Sequence, residues 1–298
     1  MAPEFYVTSD LHYGLRRGGD RATEQLAQHI HDHPADALIL VGDLGHDPDS
    51  LHRLLDLFSD TRGPTLAVPG NHDVWLTGWE DHTDSSWELH EHLLPEAFQA
   101  HGVHPLHLKP FTLTSDDDGE QVTFVGSMGW YDYSFRDDIG IELEAYQTKT
   151  PPWSSFPIWN DARFARFDQD DVALTRLLNT RLAQQLHDTP EQTPVVAAIH
   201  HLTSRRLLVQ PREMVPKRWR YANAFLGADC LGDTLVADPR VTQVFCGHIH
   251  MARHITVRGH RWSTIGSDYR TKQLIRATAD RIVEVWDFGP EAVMPSTA

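Results

Sequence analysis

Short apolar runs, each ended by glycine and then by carboxylate or imidazole side chains, set the rhythm of this chain. Phe5 to Ser9 (FYVTS) predicts a buried strand, polar "DLHYGLRRGGD" follows, and helical spacing takes over from about Arg21 to His33. "ALILV" at 37–41 is a second buried strand, and "GDLGHDPDS" after it is a loop. Ser50 can cap a helix that carries Leu51, Leu54, Leu55 and Phe58 on one face. Thr65 to Val68 is the third strand. Strand and helix alternate, which predicts parallel strands with helices on the sheet faces.

The pattern changes after residue 104. Phe111 to Thr114 and Val122 to Val125 flank the acidic turn "SDDDGE" as a hairpin would. Residues 127–170 read as an insertion rich in aromatic side chains and in proline. It is a candidate lid that stacks on a base or ring, or simply an insertion packed onto the sheet by its aromatics. Asp170 to His187 is helical, Val195 to Ile199 is a buried strand, and "VTQVFC" with three later segments (254–258, 261–265 and 281–287) completes the β structure. One domain over 1–288 is expected, with a mobile tail at 289–298.

Composition narrows the function. The net charge is −16 with histidine neutral, which argues against broad nucleic-acid binding but leaves room for a small anionic substrate where divalent cations reverse the local field. No apolar run reaches membrane-spanning length, and "MAPEFYVTSD" has neither a basic nor an apolar leader region. Cys230 and Cys246 form no CxxC pair and read as free thiols in a reducing compartment, so a cytoplasmic location is expected. The oligomeric state leaves no trace in the sequence.

With 20 histidines, clustering matters. Asp10 and His12 follow the first strand, Asp43 the second, Asn71, His72 and Asp73 the third. His200 and His201 follow "VVAAI", and His248 and His250 follow "VTQVFC". Sites in open α/β sheets form beyond the carboxyl ends of strands, so these segments can meet on one rim. The donors are too many for one tetrahedral zinc. Mixed oxygen and nitrogen donors suit two octahedral-like ions, with Mn²⁺ placed first and Fe or Zn as alternatives.

The order Asp10-Leu-His12, Gly42-Asp43, Gly70-Asn71-His72-Asp73, His200, Gly247-His248-Ile249-His250 resembles the calcineurin-like metallophosphoesterase superfamily, over residues 10–250. The resemblance implies an α/β fold, a four-layer α/β/β/α sandwich of two mixed β-sheets flanked by helices. It implies that Asp10, His12 and His250 hold one divalent metal ion, that Asn71, His200 and His248 hold the other, and that Asp43 bridges them. His72 would face the substrate phosphate and protonate the leaving oxygen or stabilise charge, with Asp73 orienting it. The reaction would be attack of a metal-bridging hydroxide on phosphorus.

The expected substrate is a small phosphorylated molecule, a phosphomonoester or phosphodiester such as a nucleotide. The alternatives are a nuclease or nucleic-acid end phosphatase using the basic residues between 205 and 220, and a non-catalytic scaffold. "GDLGHD" and "GNHD" depart from the pattern of Ser/Thr protein phosphatases in the superfamily, and no GxSxG elbow, P-loop or GxGxxG offers a rival chemistry. His201, Arg205, Arg206, Trp130 and Tyr133 are the candidate substrate contacts. His90 and His92 lack the HExxH spacing and read as a solvated helix face.

Overall fold

The computed structural model describes residues 2–115, 119–209 and 214–289. The acidic residues 116–118, Arg212 and Glu213 of the basic stretch, and the tail from 290 lie outside the described residues. Among the described residues, twelve strands form two six-stranded sheets. They are β1 (Phe5–Thr8), β2 (Ala37–Val41), β3 (Thr65–Val68), β4 (Val103–Pro105), β5 (Phe111–Thr114), β6 (Gln121–Ser127), β7 (Val195–Ile199), β8 (Val241–Cys246), β9 (Arg253–Val257), β10 (His260–Thr264), β11 (Lys272–Ala277) and β12 (Ile282–Phe288). The first sheet runs β12-β11-β1-β2-β3-β4 and the second β5-β6-β7-β8-β10-β9. β1 to β4 pair in parallel, as do β6, β7, β8 and β10, while antiparallel strands finish the edges.

Side-chain alternation explains the layers. Along β1, Phe5 and Val7 join Ile39, Val41, Leu66 and Val68 in a core between the sheets, where they meet Phe124, Val196 and Phe245. Phe5 lies edge-on to Phe124 with ring centroids 5.0 Å apart. Tyr6, Leu38 and Leu40 point the other way, under α1 (Arg17–Asp32) and α2 (Pro48–Leu57). On the far side Val125, Ala197 and Ile199 pack against Leu182 and Leu186 of the Asp171–Asp188 helix and Leu231 and Leu235 of the Asp229–Ala237 helix. Both faces of the inner strands are therefore buried, which is why they read as unbroken apolar runs. The result is the expected α/β/β/α sandwich.

Two strands escape the sequence pattern. β4 is three residues long and contains His104 and Pro105. β11, "KQLIRA", begins with a lysine that is 1% exposed. Lys272 buries its ammonium group because Nζ donates to the carbonyls of Asp10, at 2.8 Å, and Asp268. The α2 start is clearer: Asp47 and Ser50 form a reciprocal capping box with Pro48 in the first turn. The expected solvated histidine pair is half wrong. His92 is exposed, but His90 is buried, with Nδ1 2.7 Å from Glu91.

Candidate metal centre

Every expected ligand lies just past the carboxyl end of β1, β2, β3, β7 or β8. Backbone bonds tie these strand ends together: Asp10 N–H donates to Gly42 O at 2.9 Å, His12 N–H to Asp43 O at 2.9 Å and Gly247 N–H to His200 O at 3.0 Å. Eight non-glycine residues among the described ones have positive φ, and five of them are Asp10, His12, Asp43, His248 and His250. Such conformations are costly for L-residues and persist where surrounding structure enforces them, typically at functional sites. Glycines make the close approach possible. A Cβ on Gly70 would stand 2.1 Å from Asp43 Oδ1, and one on Gly247 2.6 Å from Asp10 Oδ2.

The donor atoms converge in two groups that share Asp43, and within each group all atoms lie within 4.8 Å of one another. Asp10, His12, Asp43 and His250 form the first group; Asp43, His200 and His248 form the second. In the first, the Nε2 atoms of His12 and His250 face each other at 3.2 Å, with His250 Nε2 3.3 Å from Asp10 and His12 Nε2 3.6 Å from Asp43. In the second, Asn71 Oδ1 lies 3.3 Å from His200 Nε2 and 3.0 Å from His248 Nδ1, and Asp43 Oδ1 lies 3.4 Å from His200 Nε2. Carboxylate, amide and imidazole donors gathered this closely, most of them buried, fit a pair of divalent cations.

Electrostatics divide the four donor histidines: His12 and His248 favour the neutral ring, whereas His200 and His250 hold a proton more tightly, one that a cation would have to displace. Burial depresses the His12 pKa to about 3, although Asp43 and Asp10 oppose this, and burial with neighbouring His201 and His200 lowers His248 well below its usual value. Neutral imidazole is the form that binds metal. Burial would also lower His200, but the carboxylates of Asp43 and Asp10 outweigh it and raise it to about 9. Asp43 is desolvated, yet His200, His72 and His12 hold it well below the carboxylate range. An anionic Asp43 can serve both groups.

His72, like His201, lies outside both donor groups, and its side chain is 19% exposed. Its backbone N–H donates to Asp43 Oδ1 at 2.9 Å, its ring Nε2 lies 3.9 Å from Asp43 Oδ2, and the ring stacks on Trp75 with centroids 3.7 Å apart. Burial lowers its pKa, against the opposing effects of Asp43 and Asp161. Asp73 does not orient it. The two Asp73 oxygens accept the N–H groups of Leu44, at 2.8 Å, and Gly70, at 2.7 Å, so this carboxylate fixes the backbone of two ligand-bearing loops. The stacked Trp75 ring holds His72 instead.

The expected substrate contacts fare differently. His201 is fully buried, with Nδ1 3.0 Å from the Met128 carbonyl and its ring centroid 4.3 Å from that of His248, so it backs a ligand and does not face solvent. Arg205 pairs with Asp229 at 3.1 Å and donates to the Ser134 carbonyl, and Arg206 donates to the Thr256 carbonyl at 3.1 Å. None of those partners belongs to the donor groups. Trp130 and Tyr133 are almost entirely buried and belong to the core cluster together with Tyr131 and Tyr146.

One residue that touches the donor set went unseen in the sequence. Asp161, in the aromatic-rich stretch, is buried and accepts four hydrogen bonds: from Asn71 Nδ2 at 2.9 Å, Trp75 Nε1 at 2.7 Å, Trp159 Nε1 at 2.7 Å and the Tyr131 hydroxyl at 3.1 Å. By holding the Asn71 amide nitrogen it turns Oδ1 toward His200 and His248, and by holding Trp75 it supports the ring beneath His72. Asp161 follows no strand and stands in no motif, so only its neighbours reveal it.

Two mixed sheets whose strand ends gather a shared-carboxylate, dinuclear-type donor set define a class of metal-dependent phosphoric ester hydrolases. The chain belongs to the calcineurin-like phosphoesterase family, whose profile matches residues 3–252. A curated relative, the [acyl-carrier-protein] phosphodiesterase PptH of Mycobacterium tuberculosis, is 30% identical over 133 residues, which is 45% of this chain and 39% of the relative. The crystal structure of phosphopantetheinyl hydrolase (PptH) from the same organism superposes with a TM-score of 0.69 at 19% identity, covering 90% of both chains. A dimetal phosphatase from Danio rerio gives 0.52 at 13% identity, covering 97% of this chain and 96% of that one. At such identities the structural likeness shows the fold alone. Among the described residues, no helix is long and apolar enough to cross a membrane.

Proposed function

We propose that this protein is a dinuclear phosphodiesterase that cleaves a phosphodiester joining a phosphopantetheinyl arm to a protein. The observation that carries the hydrolytic reading is the shared position of Asp43 in both donor groups. The likeness to PptH supports the substrate class. In this reading Asp10, His12, Asp43 and His250 hold one divalent ion, and Asp43, Asn71, His200 and His248 hold the other, with Mn²⁺ favoured by the mixed nitrogen and oxygen donors. The ions supply Lewis acidity and a water nucleophile at neutral pH.

The protein residues do the rest. Burial keeps the His72 ring neutral at pH 7, so it acts as an N–H donor to a phosphoryl or leaving-group oxygen rather than as a strong acid. Trp75 sets its plane. Asp73 and the backbone bonds between strand ends fix the ligand loops before substrate arrives, which spares reorganisation during reaction. Water adds across one P–O bond, leaving a phosphomonoester on one fragment and a hydroxyl on the other.

The test is hydrolysis of a phosphopantetheine-loaded carrier protein beside p-nitrophenyl phosphate and bis-p-nitrophenyl phosphate by Mn²⁺-loaded protein. Release of phosphopantetheine and turnover of the diester are expected. Replacing His72 by Ala should lower kcat by roughly 100-fold or more with little change in KM. Preference for the monoester, or a fully active His72→Ala variant, would count against this mechanism.

A further inference from the structure

The turn between β10 and β11 brings Tyr269 against the first donor group. Its ring centroid lies 4.7 Å from that of His12 and 4.9 Å from that of His250, so one side chain packs on both histidines of the group. The His12 and His72 rings are also 4.7 Å apart, which places Tyr269 and His72 against the same donor. The turn is held firmly. Asp268 Oδ1 accepts the N–H groups of Arg270 and Thr271, at 2.6 and 2.7 Å, and the buried Lys272 ammonium ties the Asp268 carbonyl to that of Asp10. A Cβ on Gly19 would stand 2.6 Å from the Tyr269 carbonyl oxygen, so only glycine lets α1 come this close to the turn.

Two polar groups at this position have no structural duty. Tyr269 is half-buried, and its hydroxyl is neither sealed from solvent nor hydrogen-bonded among the described residues. Arg16 is exposed, and its Cζ stands over the Tyr269 ring, 5.6 Å from the centroid. No carboxylate among the described residues pairs with Arg16. Asp20, four positions on, accepts the Gly14 N–H at 2.9 Å instead. The Arg16 side chain makes no capping hydrogen bond at the start of α1 either. Its one partner is the ring that packs on His12 and His250.

We propose that Arg16 and the Tyr269 hydroxyl form an anion-binding edge of the metal centre that receives the phosphoryl oxygens of the substrate. Charge makes the case. A chain of net charge −16 repels a phosphodiester at long range, and the first donor group itself contains Asp10 and Asp43. A guanidinium is always charged and presents paired N–H groups that match phosphoryl oxygens. Contact with the Tyr269 ring restrains that long side chain beside the first group. The phenol adds a neutral donor. Burial, with the Asp43 and Asp10 carboxylates, raises it to about 12, so it keeps its proton at neutral pH. Donors so placed act most strongly where negative charge gathers during reaction. The inference rests on the phosphodiesterase reading given above and names the residues that meet its phosphoryl group.

The experiment titrates inorganic phosphate calorimetrically into Mn²⁺-loaded wild type, Arg16→Gln, Arg16→Lys and Tyr269→Phe, with the metal content of each measured by elemental analysis. Arg16 is exposed and caps nothing, and Tyr269→Phe keeps the ring on His12 and His250, so each variant preserves the fold. Arg16→Gln should raise the phosphate Kd by roughly tenfold and Tyr269→Phe by roughly threefold, with metal content unchanged. Arg16→Lys should recover part of the loss, because it restores the charge without the fork. On bis-p-nitrophenyl phosphate, kcat/KM should fall in the same order. Unchanged phosphate affinity in Arg16→Gln or in Tyr269→Phe, or a loss that follows loss of metal, would overturn the inference. So would a metal-loaded wild type that binds no phosphate. Weakened phosphate binding in the variants, beside a wild type that leaves the loaded carrier protein uncleaved, would keep the anion-binding edge and sink the substrate reading.

Discussion

Asp161 shows how much of this site depends on residues that never touch a metal. Four donors share its two oxygens, and one of them is the amide of a ligand. An asparagine in its place keeps one acceptor and presents an NH₂ group toward existing donors. Asp161→Asn should therefore weaken the ion held by Asn71, His200 and His248 by roughly 10- to 100-fold, as supporting-residue changes do. The other ion, held by residues Asp161 does not contact, should stay. Elemental analysis after dialysis against limiting Mn²⁺ would show stoichiometry falling from two toward one. Retention of both ions would reduce Asp161 to a packing role. The donor residues that the structure gathers were legible in the sequence because a strand end followed by Gly and a carboxylate, amide or imidazole is a local signal. Asp161, the backing role of His201 and the stacking of Trp75 on His72 were not, since each is defined by residues far away in sequence.

Elements differ in the same way. The inner strands declared themselves through apolar runs, whereas β11 did not, because Lys272 is paid for by carbonyls of two other segments. The helical stretch 86–100 holds a second hidden device. Burial would raise the Glu91 pKa, but the His90 and Arg181 bonds, at 2.7 and 2.5 Å, outweigh it and hold it at about 2 against an ordinary 4.5. A depressed folded-state value stabilises the fold above about pH 4.5, and that contribution is lost as pH falls toward 2. Glu91→Gln should cost about 1.5–3 kcal/mol at pH 7, the range for a hydrogen bond to a charged group. The penalty should shrink by pH 3. Urea unfolding of both proteins at pH 7, 5 and 3 measures it, and a penalty independent of pH would mean that the charge contributes nothing.

The whole molecule couples the two sheets through their ligands. β1, β2 and β3 of one sheet carry Asp10, His12, Asp43 and Asn71, and β7 and β8 of the other carry His200, His248 and His250. Each donor group draws on both sheets, so metal binding should clamp the sandwich. An ion present at about 100 times its Kd adds roughly 2.7 kcal/mol of stability. In a chain of this size that corresponds to a Tm gain of roughly 3–8 °C over the chelator-treated protein. Differential scanning calorimetry should show this gain in the wild type and lose most of it in Asp43→Asn, which removes the shared carboxylate. A Tm insensitive to metal would show that the strand ends are held by the polypeptide alone.

Sequence by itself determined the α/β class, the five strand ends that carry the candidate donors and the chemical type of those donors. All of these are local facts: apolar runs of strand length, a glycine at the turn, and side chains whose type fixes what they can bind. The tertiary structure alone decided which donors share Asp43, which of the two adjacent histidines enters the donor set, that Asp73 serves the backbone rather than His72, and that the aromatic stretch supplies Asp161 to Asn71. Those outcomes depend on distances between residues 29 to 238 positions apart, which no local pattern encodes.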